Sequence, residues 1–137
     1  MVDPGTVLAV VQLAGAMIGI CGKYIKEVKN AKHEIRRFRH EIEALRKVLK
    51  SLARLLENPS FSDHLRNTRK LDKEVDRCRS TLMDLKEKID LGMTRRAMRK
   101  IGIRLKWPLD RGEVAEAIRS IKDYQSYFNS ALQIDQM

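Results

Sequence analysis

The residues that could do chemistry are few in this 137-residue sequence, and their spacing matches no known type of site. His33 and His40 lie seven positions apart and would share one face of a helix, with Glu34 and Glu41 beside them. A zinc site needs three or four ligands at characteristic spacings, such as HExxH or paired cysteines, and neither pattern is present. We therefore interpret both histidines as surface residues and predict no metal site.

The nucleophilic and acidic residues likewise have structural interpretations. Cys21 and Cys78 fall on apolar helix faces, where a thiol behaves as a small hydrophobic group, and this usage fits a reducing compartment. Asp110 and Glu113 have the spacing of a helix capping box. The sequence contains no Gly-rich phosphate loop and no serine elbow. We predict no catalytic residues, no enzyme activity and no cofactor.

The composition indicates one small helical domain, spanning residues 1–137, with an anionic partner. Hydrophobic residues make up 43% of the chain, and only seven glycines and three prolines interrupt it. The net charge of +10 indicates nucleic acid, an acidic protein surface or anionic lipid as partner, and all 28 Lys and Arg residues follow Gly22. Aromatic residues are only 5% of the chain and provide no stacking platform. We predict anionic membrane lipids, and no nucleic acid, as the partner.

The apolar periodicity divides the chain into helices that would position these residues. Asp3-Pro4 predicts the start of a first helix of about 25 residues, and Asn30 is a candidate cap for the second, which stops at Asn58-Pro59. The apolar stripe of the first helix comprises Val7, Val11, Ala14, Ile18, Cys21, Ile25 and Val28. The second has an unbroken apolar heptad pattern at Ile35, Phe38, Ile42, Leu45, Leu49, Leu52 and Leu56.

The remaining residues predict two further long helices and a short one. The third helix carries Leu71 to Ile89 on its apolar face and is expected to end at Gly92. The last opens at Asp110. Between them, Thr94–Leu105 predicts a short basic brace, whose characteristic residues are Arg95, Arg96, Arg99, Lys100 and the nearby Trp107. The expected fold is all-α, an antiparallel four-helix bundle with an additional short brace helix.

The segment from Gly5 to Gly22 contains no charged residue and admits several interpretations. Eighteen helical residues span about 27 Å, close to the thickness of bilayer hydrocarbon. A permanent membrane span would leave the bundle one helix short, and a secretory signal would need a basic start in place of Val2-Asp3. A buried bundle helix is the simplest resting state, but Gly15, Gly19 and Gly22 weaken it by about 1 kcal/mol each. We therefore expect a helix that docks in the bundle and inserts into lipid on activation.

Two sets of residues would carry this behaviour. The predicted membrane-insertion residues are Thr6, Val7, Leu8, Val10, Val11, Leu13, Gly15, Met17, Ile18, Gly19 and Ile20. The predicted anionic-lipid-binding residues are Lys23, Lys26, Lys29, Lys32, Arg36 and Arg37. Each basic residue near an anionic leaflet contributes about 1 kcal/mol of attraction, so several together can recruit the domain.

Several stretches together are more specific than the apolar heptads. They are "VDPGTV" at the start, "VKNAKHEIRRFRHEIEALRKVL" from Val28, "LDKEVDRCRSTLMDL" from Leu71, and "RLKWPLDRGEVAEAIRSIKDYQ" with "ALQIDQ" near the end. These stretches resemble the fungal HeLo-like domain found at the N-terminus of NOD-like receptors. Such domains look like the four-helix bundle of the mixed-lineage kinase-like pseudokinase and the coiled-coil domains of plant immune receptors. The resemblance covers nearly the whole chain, and its most specific part is Leu105-Lys106-Trp107-Pro108.

The resemblance implies a cell-death execution domain at the N-terminus of a longer receptor. Activation would bring several copies together into a homo-oligomer, release the N-terminal helix and permeabilise the plasma membrane, to which the cytoplasmic protein would relocate. The alternative is a non-lytic signalling adaptor whose bundle binds another helical domain. Exposed Trp107, Tyr124 or Tyr127 could anchor such an interface.

Overall fold

The computed structural model of the chain describes residues 3–57, 68–98 and 106–136. These residues form four helices and no strand. The helices are α1 (Pro4–Glu27), α2 (Lys32–Glu57), α3 (Thr68–Met98) and α4 (Arg111–Gln136). The prediction of an all-α four-helix bundle is confirmed for this part of the chain.

The start of α1 is fixed by the predicted cap. The Asp3 carboxylate accepts a hydrogen bond from the Gly5 N–H at 3.1 Å, and Pro4 takes the first helical position, where a missing N–H costs nothing. The helix is 24 residues long and ends where Val28 becomes extended. The single long helix expected from the apolar stripe is therefore present, and it includes both the uncharged segment and the lysines that follow it.

The connection between α1 and α2 differs from the prediction by one residue. Asn30 was expected to cap α2, but the helix begins at Lys32, and the Ile35 N–H donates to the Ala31 carbonyl at 2.9 Å. Ala31 thus holds the capping position, and its φ of 67° lies in the left-handed region, which is unfavourable for a residue with a Cβ. Ala31 is the last residue of the short connection between α1 and α2.

The predicted end of the third helix at Gly92 is wrong. Helix α3 continues through Gly92 to Met98, so the first part of the expected brace, residues 94–98, is the last part of α3. A Cβ built on Gly92 would overlap the Tyr24 hydroxyl and lie 3.3 Å from Pro108 Cγ. Glycine is therefore needed here for close packing inside a helix, and it does not terminate one.

The start of α4 confirms the predicted capping box. The Glu113 N–H donates to Asp110 Oδ1 at 2.7 Å, and the Asp110 N–H lies 3.4 Å from Glu113 Oε1. Two side-chain contacts attach α4 to α2: Arg111 pairs with Glu34, and Gln125 hydrogen-bonds to Glu41. The residue that comes later in α2 contacts the residue that comes later in α4, so the two helices run in the same direction.

One hydrophobic core lies between the helices. Helix α1 packs mainly on α2 and also on α3, while α4 packs on α2 and α3. Helix α2 contributes the full predicted heptad, from Ile35 to Leu56, with every member less than 9% exposed. Both cysteines are also buried in this core, as expected. Burial raises the pKa of the Cys78 thiol to about 12, so it stays protonated and unreactive at neutral pH.

Candidate functional site

Helix α1 is the candidate membrane-active element. Among the described residues it is the one helix long and apolar enough to cross a bilayer by length and composition, and 33% of its most apolar stretch is buried in the bundle. Core helices of soluble proteins meet the same criterion. The burial of individual side chains therefore determines which part of α1 could contact a membrane while the helix is in the bundle.

The predicted insertion residues do not form one surface in the bundle. Four of them, Val7, Val10, Val11 and Met17, are at most 5% exposed and belong to the core. Leu8 and Gly19 are exposed, and the other five are half-buried: Thr6, Leu13, Gly15, Ile18 and Ile20. Insertion of the whole set therefore requires α1 to leave the bundle, since only its outer side meets solvent.

The buried stripe of α1 is rotated slightly from the predicted one. Ile18 and Ile25 are only half-buried, whereas Val10, Met17 and Tyr24 are completely buried. These three residues recur at seven-residue intervals, which is the helical signal that could have revealed them. Sequence reasoning missed Tyr24 in particular, because a tyrosine next to a lysine near a helix end looks like a surface residue.

Tyr24 joins the C-terminal end of α1 to the rest of the molecule. Its hydroxyl donates a hydrogen bond to the Ile89 carbonyl of α3 at 2.6 Å, and its ring meets Trp107 edge-to-face with centroids 4.9 Å apart. Phe38 of α2 contacts the same indole at 5.8 Å. We call Tyr24, Phe38 and Trp107 the aromatic anchor. Burial, helped by the nearby Asp90 carboxylate, raises the pKa of Tyr24 to about 12.

The glycines of α1 face α2 in part. A Cβ built on Gly15 would lie 3.4 Å from Arg46 Nε, and one on Gly22 would lie 3.8 Å from a terminal nitrogen of Arg39. The later glycine of α1 is therefore beside the earlier arginine of α2. Only Gly19 has open space around it. Arginine side chains of α2 therefore lie beside Gly15 and Gly22, and the surface of α1 between them is open at Gly19.

The predicted lipid-binding residues fall into two groups. Lys23, Lys26 and Lys29 are exposed at and just after the end of α1. At the start of α2, Arg36 and Arg37 are exposed and Lys32 is half-buried. The two arginines line a groove of about 270 Å³ between α2 and α4, which we call the basic groove. Its other lining residues are His33, His40, Glu41, Ile118 and Lys122.

A second groove, of about 500 Å³, lies between α1 and α3. Leu13, Met83 and Leu91 form its apolar part, and the last two side chains are 50% and 48% exposed. Carboxylates of Asp84, Glu87 and Asp90, together with Lys86 and Thr94, line its edges. We call this the α1–α3 groove. Nothing in the sequence pattern indicated it, because Met83 and Leu91 lie off the apolar stripe of α3.

The structure describes some of the residues predicted for the brace and for an adaptor interface. Arg99 and Lys100 lie outside the described residues, as do the side chains of Arg95 and Arg96. Trp107 is buried at 7% exposure and so cannot be an exposed adaptor contact, whereas Tyr124 and Tyr127 are half-buried. Within the described ranges, no group of three or more His, Cys, Asp or Glu side chains could hold a metal ion.

Fold and surface together define a small helical-bundle domain with an apolar N-terminal helix and a basic surface. The chain belongs to the family described as pigment biosynthesis cluster protein PigL N-terminal, whose model matches residues 4–137. No curated protein and no solved structure matches the chain.

Proposed function

We propose that this domain permeabilises membranes as a cell-death execution module of the HeLo-like type, at the N-terminus of a longer receptor. The observation that carries the proposal is α1 itself, a helix whose uncharged segment Gly5–Gly22 has membrane-spanning length and which forms one side of the bundle. The end-to-end resemblance to HeLo-like domains supports it. The name of the matching family also refers to an N-terminal region.

The energetics of releasing α1 favour a transfer from core to lipid. Its buried residues are nearly all apolar, and hydrocarbon is as favourable an environment for them as a protein core. One polar interaction lost at its C-terminal end is the Tyr24 hydrogen bond to Ile89, a loss of about 1 kcal/mol. The larger penalty falls on α2 and α3, whose apolar faces lose their cover. Association of several released copies would cover those faces again.

The position of the lysines suits an inserted α1. Lys23 and Lys26 follow directly after the uncharged segment, so in a spanning helix they would lie at the headgroup level. Lys29, Lys32, Arg36 and Arg37 continue the positive charge onto α2 and would hold the bundle against an anionic leaflet. On this proposal the protein is cytoplasmic at rest and relocates to the plasma membrane on activation.

A dye-release assay with anionic and neutral liposomes tests the proposal. Gly19 has open space around it in the bundle, so Gly19→Lys should leave the fold intact, yet it places a charge inside the inserting segment, one helical turn before Lys23, at a cost of up to about 3 kcal/mol. We expect wild-type protein to release dye from anionic vesicles and Gly19→Lys to do so at least tenfold more slowly. Ser80→Lys, an added charge at an exposed position of α3, is the matched control.

Equal leakage by wild type and Gly19→Lys, with both correctly folded, would reject insertion of α1. The α1–α3 groove then favours the second candidate, a non-lytic adaptor that binds another helical domain through Leu13, Met83 and Leu91. An adaptor would tolerate Gly19→Lys and would lose partner binding on Met83→Asp.

A further inference from the structure

The α1–α3 groove exposes apolar surface that the rest of the described chain buries. Only three large apolar side chains in that part of the protein are exposed, and the two most exposed, Met83 and Leu91, both line this groove. They lie eight residues apart on α3, which places them on the same face two turns from each other. Leu13 of α1 extends the apolar surface across to the second helix.

The dimensions of the groove are those of a helix-binding channel. Its lining residues on α3 run from Met83 to Thr94, which corresponds to about 16 Å of helix axis, or about three turns. An open channel between two helices is filled by a third helix whose side chains pack against both. A helix of three or four turns therefore fits the site better than a compact small molecule does.

The charges along the groove specify the kind of helix. Lys86 pairs with Asp90 at 2.7 Å, so this cation and this carboxylate neutralise each other. The Asp84 and Glu87 side chains are exposed, and no ion pair within the described ranges involves either of them. The groove therefore has a net negative edge in a chain whose net charge is +10.

We propose that the α1–α3 groove binds a basic amphipathic helix of a partner protein. Apolar side chains spaced three or four residues apart on that helix would cover Met83 and Leu91. Lysines or arginines beside this stripe would pair with Asp84 and Glu87. The overall positive charge of the domain does not oppose such a partner, because charges farther away than about 8 Å are largely screened at physiological ionic strength.

A helix bound in this groove would hold α1 in the bundle. The groove is complete only while Leu13 lies beside α3, so the partner loses part of its site when α1 leaves. A ligand that binds one of two states more tightly shifts the equilibrium towards that state. The partner would therefore inhibit release of α1. Its effect on permeabilisation rests on the proposed function, whereas binding itself does not.

Binding is tested by calorimetry without lipid, using a synthetic helical peptide of about 18 residues with leucines in one stripe and lysines beside it. The control peptide has glutamate in place of every lysine. We expect the lysine peptide to bind the protein at least tenfold more tightly than the glutamate peptide, with a preference that falls as salt is added. Equal binding of the two peptides, or binding of neither, would overturn the proposal.

Two double variants test the role of the carboxylates. Asp84→Asn with Glu87→Gln should weaken binding of the lysine peptide at least tenfold. Asp76→Asn with Glu116→Gln removes the same charge from exposed positions elsewhere and should change binding less than threefold. All four side chains are exposed, so both variants should fold, which circular dichroism checks. Equal losses in the two would mean non-specific charge attraction and would overturn the proposal.

A third double variant tests the apolar part of the groove. Met83→Ser with Leu91→Ser leaves every charge in place and should also weaken binding of the lysine peptide at least tenfold. Sedimentation of the protein without peptide checks the other possible occupant. Self-association that this variant abolishes would identify a second copy of the chain as the occupant and would overturn the proposal of a partner helix.

Hydrogen exchange separates the effect on α1 from any action on lipid. With the lysine peptide at ten times its dissociation constant, the amides of α1 should exchange about tenfold more slowly in lipid-free protein, because the peptide stabilises the docked state. Unchanged exchange with the peptide bound would overturn the inhibitory role. Slower exchange, combined with no dye release by the protein alone, would reject the proposed function and leave this inference standing.

Discussion

At the scale of single residues, Tyr24 has the most consequences for how α1 is held. Its side chain is completely buried, although its neighbours in the sequence, Lys23 and Ile25, are exposed and half-buried. Its hydroxyl reaches the backbone of α3, and its ring packs against Trp107 in the segment before α4. One side chain therefore connects α1 with two other parts of the bundle, near the end of the helix that the proposal releases.

Removal of this hydroxyl should loosen α1 measurably. In Tyr24→Phe the Ile89 carbonyl loses its side-chain donor, so we expect the free energy of unfolding to fall by about 1–2 kcal/mol. Urea denaturation measures the change. Tyr127→Phe removes a hydroxyl from a half-buried ring and should stay within about 0.5 kcal/mol of wild type. Equal stability of Tyr24→Phe and wild type would show that the bond to Ile89 contributes nothing.

The same variant should change the response to alkaline pH. Burial raises the pKa of Tyr24 from 10 to about 12, so between these values the folded protein retains a proton that the unfolded chain has lost. The contribution of Tyr24 to stability is complete below pH 10 and is lost as the pH rises towards 12. Denaturation at stepped pH values should show a smaller loss for Tyr24→Phe than for wild type, the remainder including the buried Cys78 thiol.

At the scale of elements, glycines serve different purposes in α1 and α3. A Cβ added at Gly19 would meet no atom within 4 Å, so the lack of a side chain there only weakens the helix, whereas Gly92 makes room for the Tyr24 hydroxyl. Gly15 and Gly22 are intermediate, because arginines of α2 lie beside them. A helix with three interior glycines and no charged residue before Lys23 is held mainly by its packing on α2 and α3.

Alanine substitutions should separate these roles. Gly19→Ala should raise the free energy of unfolding by about 1 kcal/mol through helix propensity alone. Gly92→Ala should lower it by about 1–3 kcal/mol, because the added methyl displaces the Tyr24 hydroxyl. Thermal or urea denaturation of both variants provides the comparison. A stabilising Gly92→Ala would mean that the hydroxyl moves freely and that the aromatic anchor is loose.

At the scale of the whole molecule, release of α1 removes one of the four helices that the structure describes from their common core. The three remaining helices cannot cover their own apolar faces, so the released state should associate. We therefore expect the initial rate of dye release to rise more steeply than linearly with protein concentration. Stopped-flow fluorescence over a wide concentration range measures the order. A strictly linear dependence would indicate that single copies perturb the bilayer without assembling.

The sequence by itself determined the starts of α1 and α4 and the apolar face of α2. The Asp3-Pro4 start, the Asp110–Glu113 capping box and the heptads of α2 are interactions between chain neighbours, so their residue types and spacing were sufficient to predict them. The uncharged segment Gly5–Gly22 of α1 was equally evident from the sequence. The resemblance to HeLo-like domains extended this reading towards function and remains a prediction.

Only the tertiary structure decided which side chains meet. Tyr24 finds its acceptor 65 residues away and Gln125 meets Glu41 across 84, and no local pattern specifies contacts at such separations. The same packing explains why Gly92 lies inside a helix and why the acids flanking Arg37 are held by α4. Local periodicity fixes which face of a helix is apolar. A buried polar group that lacks a hydrogen-bond partner costs free energy. Which partner it finds depends on how the described helices pack against one another.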